Sequence, residues 1–272
     1  MFHLSKYYGD KWKSIKNSRG LSPVIDFSHT SKFRINKHFE SNIRYLYETY
    51  KHTAVMGERS LTIRNIPEIN NYIRYVSSIA YNINKKVEEL GIVFKLHPML
   101  SEAYMYNLTP EMKIQRNIDN WHYDYMPFVF VYMVKKGSSN GGRLILKLNE
   151  ERKVIELDEG EGIFMQGSQI EHMAERCVDG DRVTLVLSFI PEDITIKDNT
   201  YITSDTNPYH PNENLKEQYI KYKRERIISL MEQRDKIREA IDNELEDINR
   251  VSSNYVLKSK IKKDFKYIIS KL

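Results

Sequence analysis

Three observations predict a mainly β chain with flanking helices, its core a β-barrel or β-sandwich. Between about residues 96 and 192, short segments rich in Val, Ile, Phe and Tyr are separated by turn residues at regular intervals. Ahead of them lies a stretch whose apolar residues recur at helical spacing, and a second such stretch follows them.

Residues 1–95 read as a mixed and then helical part that packs on the core. Ile66, Ile69, Ile73, Val76, Ile79, Ala80, Ile83, Val87 and Leu90 form one apolar stripe of an amphipathic helix. Pro67 falls where a first turn tolerates proline, and Gly91 supplies the stop. Residues 96–192 form the β core, with strands expected at 102–108, 113–118, 128–134, 143–148, 153–157, 162–166 and 182–190. Thr109-Pro110, the stretch 137–142, the stretch 158–162 and Asp179-Gly180 punctuate them. Residues 193–272 read as a linker and a C-terminal helical extension. The polar segment 191–213, with Pro208 and Pro211, is the linker, and 207–214 is a candidate lid. Leu215, Tyr219, Tyr222, Ile227, Met231, Ile237, Ile241, Leu245 and Ile248 then keep a loose helical period, and a further stretch runs from Val256 to Leu272.

With 272 residues, the chain needs neither disulfides nor a structural metal to bury a core. Its single cysteine, Cys177, allows no internal disulfide and fits a reducing compartment. No apolar run is long enough to span a bilayer, and the first residues lack a signal-peptide pattern, so a cytoplasmic protein without membrane contact is expected. The net charge of +5 sits in residues 215–272, where 15 Lys/Arg face 10 Asp/Glu. Their alternating signs suit a solvated helix better than a nucleic-acid surface, and the same helices offer a face for a homodimer.

The chemistry gathers at three places. In Trp121-His122-Tyr123-Asp124-Tyr125, residues two apart share a face of an extended segment, so His122 and Asp124 reach one point together. An imidazole and a carboxylate are ligands of ferrous oxygenase sites, and His172, downstream on a late strand, would complete a two-histidine, one-carboxylate face. Arg182 follows the Asp179-Gly180-Asp181 turn. On its strand Val183, Leu185, Leu187 and Phe189 take one face, while Arg182, Thr184, Val186 and Ser188 take the other. A guanidinium with a hydroxyl two residues on makes an anchor for a carboxylate. Each residue also has a plainer reading: a surface His-Asp pair, a core histidine, a hairpin ion pair for Arg182 with Glu171 or Asp181, and a simple turn at Gly141-Gly142. Trp121 and Phe128 read as core. His38, His52, His97 and His210 read as structural or surface residues. Cys177 lacks an activating motif, and Gly160-Glu161-Gly162 lacks the frame of a phosphate loop.

The ordered set of H-x-D, Gly141-Gly142, a distal His172 and Arg182-x-Thr184 resembles the Fe(II)/2-oxoglutarate-dependent dioxygenase superfamily over about residues 100–190. The resemblance implies a double-stranded β-helix, a jelly-roll or cupin-like core. It further implies Fe(II) on His122, Asp124 and His172, 2-oxoglutarate held through Arg182 and Thr184, and O2 as the oxidant, with succinate and CO2 released. Radical halogenases of this superfamily lack the carboxylate, so Asp124 points to hydroxylation, with desaturation or cyclisation sharing the same ligands. The expected substrate is a small polar metabolite, an amino acid or natural-product intermediate. Tyr104, Tyr106, Arg116 and Tyr125 are its candidate contacts, with Gln115 and Asn120 nearby. The rivals are a hydroxylase that acts on protein or nucleic acid through the basic C-terminal helices, and a non-catalytic cupin-like binding module.

Overall fold

The strands and helices of the computed structural model follow the chain as β1 (Lys32–Arg34), α1 (Lys37–Tyr50), β2 (Val55–Met56), β3 (Leu61–Ile63), α2 (Ile73–Lys86), β4 (Phe94–Leu96), β5 (Ala103–Leu108), β6 (Phe128–Lys135), β7 (Leu144–Leu148), β8 (Glu151–Ile155), β9 (Glu161–Met165), β10 (Glu171–Ala174), β11 (Arg182–Pro191) and α3 (Leu215–Glu232). The structure describes residues 32–56, 61–64, 66, 73–99, 103–108, 121–137, 141–148, 151–175, 181–194, 196, 198, 200–202, 214–233 and 246.

The described strands form two antiparallel sheets. The larger has the order β1-β9-β6-β11-β5-β3-β2, with β4 also paired to β11, and the smaller has the order β10-β7-β8. Every residue of β11 is buried, as expected of a central strand covered on both faces. Its alternation sorts the molecule. Val183, Leu185, Leu187 and Phe189 join a core with Phe128, Phe130 and Tyr132 of β6 and with α1 and α2. Val186 and Ile190 join a second core with Val129, Val131 and Met133 of β6, Ile163 and Met165 of β9, and Leu144 and Leu146 of β7. Helices α1 and α2 thus cover one face of the large sheet, and the small sheet, joined by Tyr219 and Tyr222 of α3, covers the other, which is a jelly-roll sandwich with flanking helices.

The helices form for local reasons. Asn36 caps α1, its side-chain oxygen accepting from the Phe39 N–H at 2.8 Å, and Phe39, Ile43, Leu46 and Tyr47 make the buried stripe. In α2, Ile79 and Ile83 are fully buried, and Asn84 pins β4 by accepting from Phe94 N at 2.7 Å and donating to Phe94 O at 3.0 Å. Gly91, at φ 61°, ends the turns that follow, as expected. No helix among the described residues is long and apolar enough to cross a membrane.

The strands expected from residue 102 onward lie within about two residues of those observed, except 113–118, which falls outside the described residues, as do the helix start at Pro67 and most of the chain beyond 233. The short strands β1 to β4 have too few residues to carry a period. Two expectations need correction. The polar segment after β11 is no loose linker at its described positions, because Asp198, Thr200 and Ile202 are buried. Nor is α3 solvated all round, because Lys223 and Arg226 are buried with Tyr219, Tyr222, Ile227 and Leu230.

One polar network explains both corrections. The fully buried Asp198 carboxylate accepts from Lys223 Nζ at 2.9 Å, Tyr222 OH at 2.8 Å, Thr200 N at 2.9 Å and Thr200 Oγ1 at 2.5 Å. Arg226 donates to the carbonyls of Ile194 and Ile196, both at 2.6 Å. Burial alone would push the Asp198 carboxyl upward, but Lys223 and Arg226 outweigh it and hold the group well below the ordinary carboxylate range. His97 completes the network. Its Nδ1 accepts from Met99 N at 3.1 Å, so Nε2 carries the proton and donates to Thr200 Oγ1 at 3.0 Å. Burial, reinforced by Lys223 and Arg226 and opposed by Asp198, pushes His97 down to about 4.

Lys223→Met strands the Asp198 charge and should cost roughly 3–5 kcal/mol. Lys136→Met, at a more exposed ion pair with Glu156 and Asp158, should cost less than about 1 kcal/mol, and urea unfolding compares the two. The lowered pKa of His97 adds stability that is complete above its ordinary value of 6.5 and is lost as pH falls toward about 4. Unfolding free energies measured across that window should drop by on the order of 3 kcal/mol, and His97→Gln should flatten the drop.

Candidate metal centre

Three segments converge inside one end of the sandwich: the loop before β6, the turn between β9 and β10, and β10 itself. His122 and His172 exchange two backbone hydrogen bonds, each N–H donating to the other's carbonyl at 3.0 Å. This bridge continues the small sheet beyond β10. Two residues on, the Asp124 N–H donates to Gly167 O at 3.0 Å, and Ser168 donates to Pro127 O through both N and Oγ, at 3.4 and 3.2 Å. The described part of the loop, 121–127, is thus clamped at His122, Asp124 and Pro127.

Because the loop is extended, His122 and Asp124 share a face, as their spacing predicts, and His172 meets them from β10. One ligand atom from each of the three lies within 4.8 Å of the others. His122 Nε2 is 3.8 Å from Asp124 Oδ1, and His172 Nε2 is 3.4 Å from Asp124 Oδ2. These separations suit groups that face a shared point better than groups bonded to one another. The His172 Nδ1 lies 2.9 Å from Ile170 O. A carbonyl only accepts, so Nδ1 bears the proton and Nε2 turns its lone pair toward Asp124, the usual preparation of a metal-binding imidazole. The donor set, two imidazole nitrogens and one carboxylate oxygen with His172 buried and the other two half-buried, fits Fe(II) with open positions.

Arg182 stands at the start of β11 with its side chain buried, and Nε donates to Gly142 O at 2.6 Å. Gly141 and Gly142 hold φ of 82° and 70°, a left-handed conformation that favours glycine, so the Gly-Gly pair presents the carbonyl that orients Arg182. By strand parity Arg182 and the buried Thr184 lie on the inter-sheet face of β11, with Val186. In the register, Tyr106 stands opposite Thr184 and Tyr104 opposite Val186.

No protein-family model matches this sequence, and no curated protein does. Several solved structures do. A prolyl-4-hydroxylase from Pseudomonas putida is 12% identical, with 69% of this chain and 98% of that one covered at a TM-score of 0.44. An oxidoreductase of the 2OG-Fe(II) oxygenase family from Burkholderia pseudomallei is 10% identical, with 60% and 86% covered at 0.46. The non-heme alpha ketoglutarate dependent carbocyclase SnoK from nogalamycin biosynthesis is 12% identical, with 65% and 86% covered at 0.46.

Tyr125 is 49% exposed and meets Tyr201 edge-on at 5.0 Å, and Arg116 lies outside the described residues. Trp121, expected in the core, is instead half-buried beneath Lys147 and Arg152, whose charges lie 5.9 and 5.4 Å from its ring. Alternation explains this, since His122 faces inward and its neighbour must face out. Phe128 is core as expected, His52 is exposed and His97 is buried, while Cys177 and His210 lie outside the described residues. Sequence reasoning missed the carbonyl of Gly142 as a partner for Arg182 and any role for Gly167 beside Asp124.

The ring geometry makes a spectroscopic prediction. With Zn(II) added as a diamagnetic probe, the nitrogen spectra of His172 should show Nδ1 protonated and Nε2 metal-bound. The opposite tautomer would contradict the assignment.

Proposed function

We propose that this protein is an Fe(II)- and 2-oxoglutarate-dependent oxygenase that hydroxylates an unactivated carbon of a small polar metabolite, such as an amino acid or natural-product intermediate. The convergence of His122, Asp124 and His172 carries the reading. These three residues would hold the metal on one side and leave the other side open to co-substrate and O2. Iron held there would activate O2, the oxidant, with 2-oxoglutarate as the reducing co-substrate that leaves as succinate and CO2.

The chain's own part is positioning. His172 keeps a proton on Nδ1 through Ile170 O, which fixes the ring so that Nε2 faces the metal. Arg182 carries a buried positive charge whose orientation the Gly142 carbonyl sets, and its guanidinium would pair with the far carboxylate of the oxo-acid, assisted by the Thr184 hydroxyl. Val131, Met133, Met165 and Val186, all in the inter-sheet core, would keep bulk water from that pair. Asp124 occupies the carboxylate position, which favours hydroxylation over halogenation. A small substrate is favoured over docking of a macromolecule by the basic tail, because α3 turns two of its cations, Lys223 and Arg226, into the protein.

Anaerobic addition of Fe(II) and 2-oxoglutarate tests the reading. The chelate should give a weak visible charge-transfer band, absent in His172→Ala and Asp124→Ala and requiring at least about tenfold more 2-oxoglutarate in Arg182→Leu. Succinate should then form on admission of O2. Iron binding without the band would remove Arg182 from the site. Binding of both without oxygen consumption would favour a non-catalytic binding module.

A further inference from the structure

The turn between β9 and β10 contains a glycine that backbone conformation does not demand. The positive-φ glycines among the described residues are Gly91, Gly137, Gly141, Gly142 and Gly160, and Gly167 is not one of them. Its backbone is one that other residues adopt, so freedom of φ is no reason for glycine there. Space is. A Cβ built on Gly167 would overlap Asp124 Oδ2 outright and stand 2.9 Å from its Cγ and 3.1 Å from its Cβ. All three of those atoms belong to Asp124. The same residue also fixes the Asp124 main chain, since its carbonyl accepts from Asp124 N at 3.0 Å.

We propose that Gly167 is a positioning residue for the metal site: its bare backbone forms the floor on which the Asp124 carboxylate lies, with Oδ1 turned toward His122 and Oδ2 toward His172. The inference rests on the reading that this triad binds a divalent metal. The surroundings leave the carboxylate little room to yield. Asp124 is held by its own N–H, and the chain on either side is fixed by the His122–His172 bridge and by the Ser168–Pro127 bonds. A methyl at position 167 therefore displaces the carboxylate and leaves a site with two effective ligands instead of three.

The experiment is Co(II) binding to the full chain, followed by visible absorption, together with thermal unfolding of the wild type, Gly167→Ala, Asp124→Gly and the double variant. Gly167→Ala should weaken Co(II) binding by roughly 10–100-fold and change the absorption toward that of Asp124→Gly. In the Asp124→Gly background all three clashing atoms are gone, so adding Gly167→Ala should change neither affinity nor melting temperature. Gly167→Ala binding as tightly as wild type with an unchanged spectrum would overturn the proposal. So would an equal loss of melting temperature in both backgrounds, which would make Gly167 a general turn requirement. If Gly167→Ala fails to fold alone, folding of the double variant supports the proposal and its failure overturns it. A wild type that binds no Co(II) defeats the metal reading itself, while the unfolding comparison still decides whether Gly167 makes room for Asp124.

Discussion

The two backbone hydrogen bonds between His122 and His172 join segments far apart in the chain, and the arrangement of the site follows from them. An antiparallel bridge sets both the separation of two residues and the faces on which they point. Once it forms, His122 and His172 present their rings to the same side, 4.3 Å apart between centroids, and Asp124 follows two residues on. The extended loop, the close approach of Gly167 and the Ser168 clamp are then consequences of holding that bridge at the edge of the small sheet.

β11 performs the same service on the opposite wall. Its two faces serve two cores, and burial of each large apolar side chain contributes about 1.5–3 kcal/mol, so a slip of one residue would exchange Val183, Leu185, Leu187 and Phe189 for Arg182, Thr184, Val186 and Ser188. The register that stabilises the fold is therefore the register that puts Arg182 on the site's side. A buried arginine is tolerated at the strand's first position because Gly142 O satisfies part of it in place, and the same register would serve the anchoring role proposed for Arg182.

The second buried charge cluster, around Asp198, works differently. It contributes little net stability compared with an apolar packing of the same shape, since desolvating Asp198, Lys223 and Arg226 costs much of what their pairing returns. What it supplies is position. The carboxylate accepts from Tyr222 and Lys223 of α3 and from Thr200, so the helix seats in one place against the chain leaving β11. Tyr201, the next residue, meets Tyr125 beside the candidate ligand Asp124, which makes the helix's seating continuous with the surroundings of the site.

Local pattern determined much of this protein. Short runs rich in Val, Ile, Phe and Tyr in β6, β9 and β11, turn residues between strands and the stripe Ile79-Ile83-Val87-Leu90 are properties of neighbouring residues, and they reveal strands, helix and core without knowledge of partners. The H-x-D spacing belongs to the same class, because a shared face two residues apart is guaranteed by any extended backbone. Tertiary structure alone decided what depends on distant chain. Trp121 went outward because His122 was turned inward. Lys223 and Arg226 of a seemingly solvated helix were buried because Asp198 and two carbonyls lay opposite them. Gly167 faced a carboxylate from another segment, and a sequence carries no signal for the space between residues that fold together.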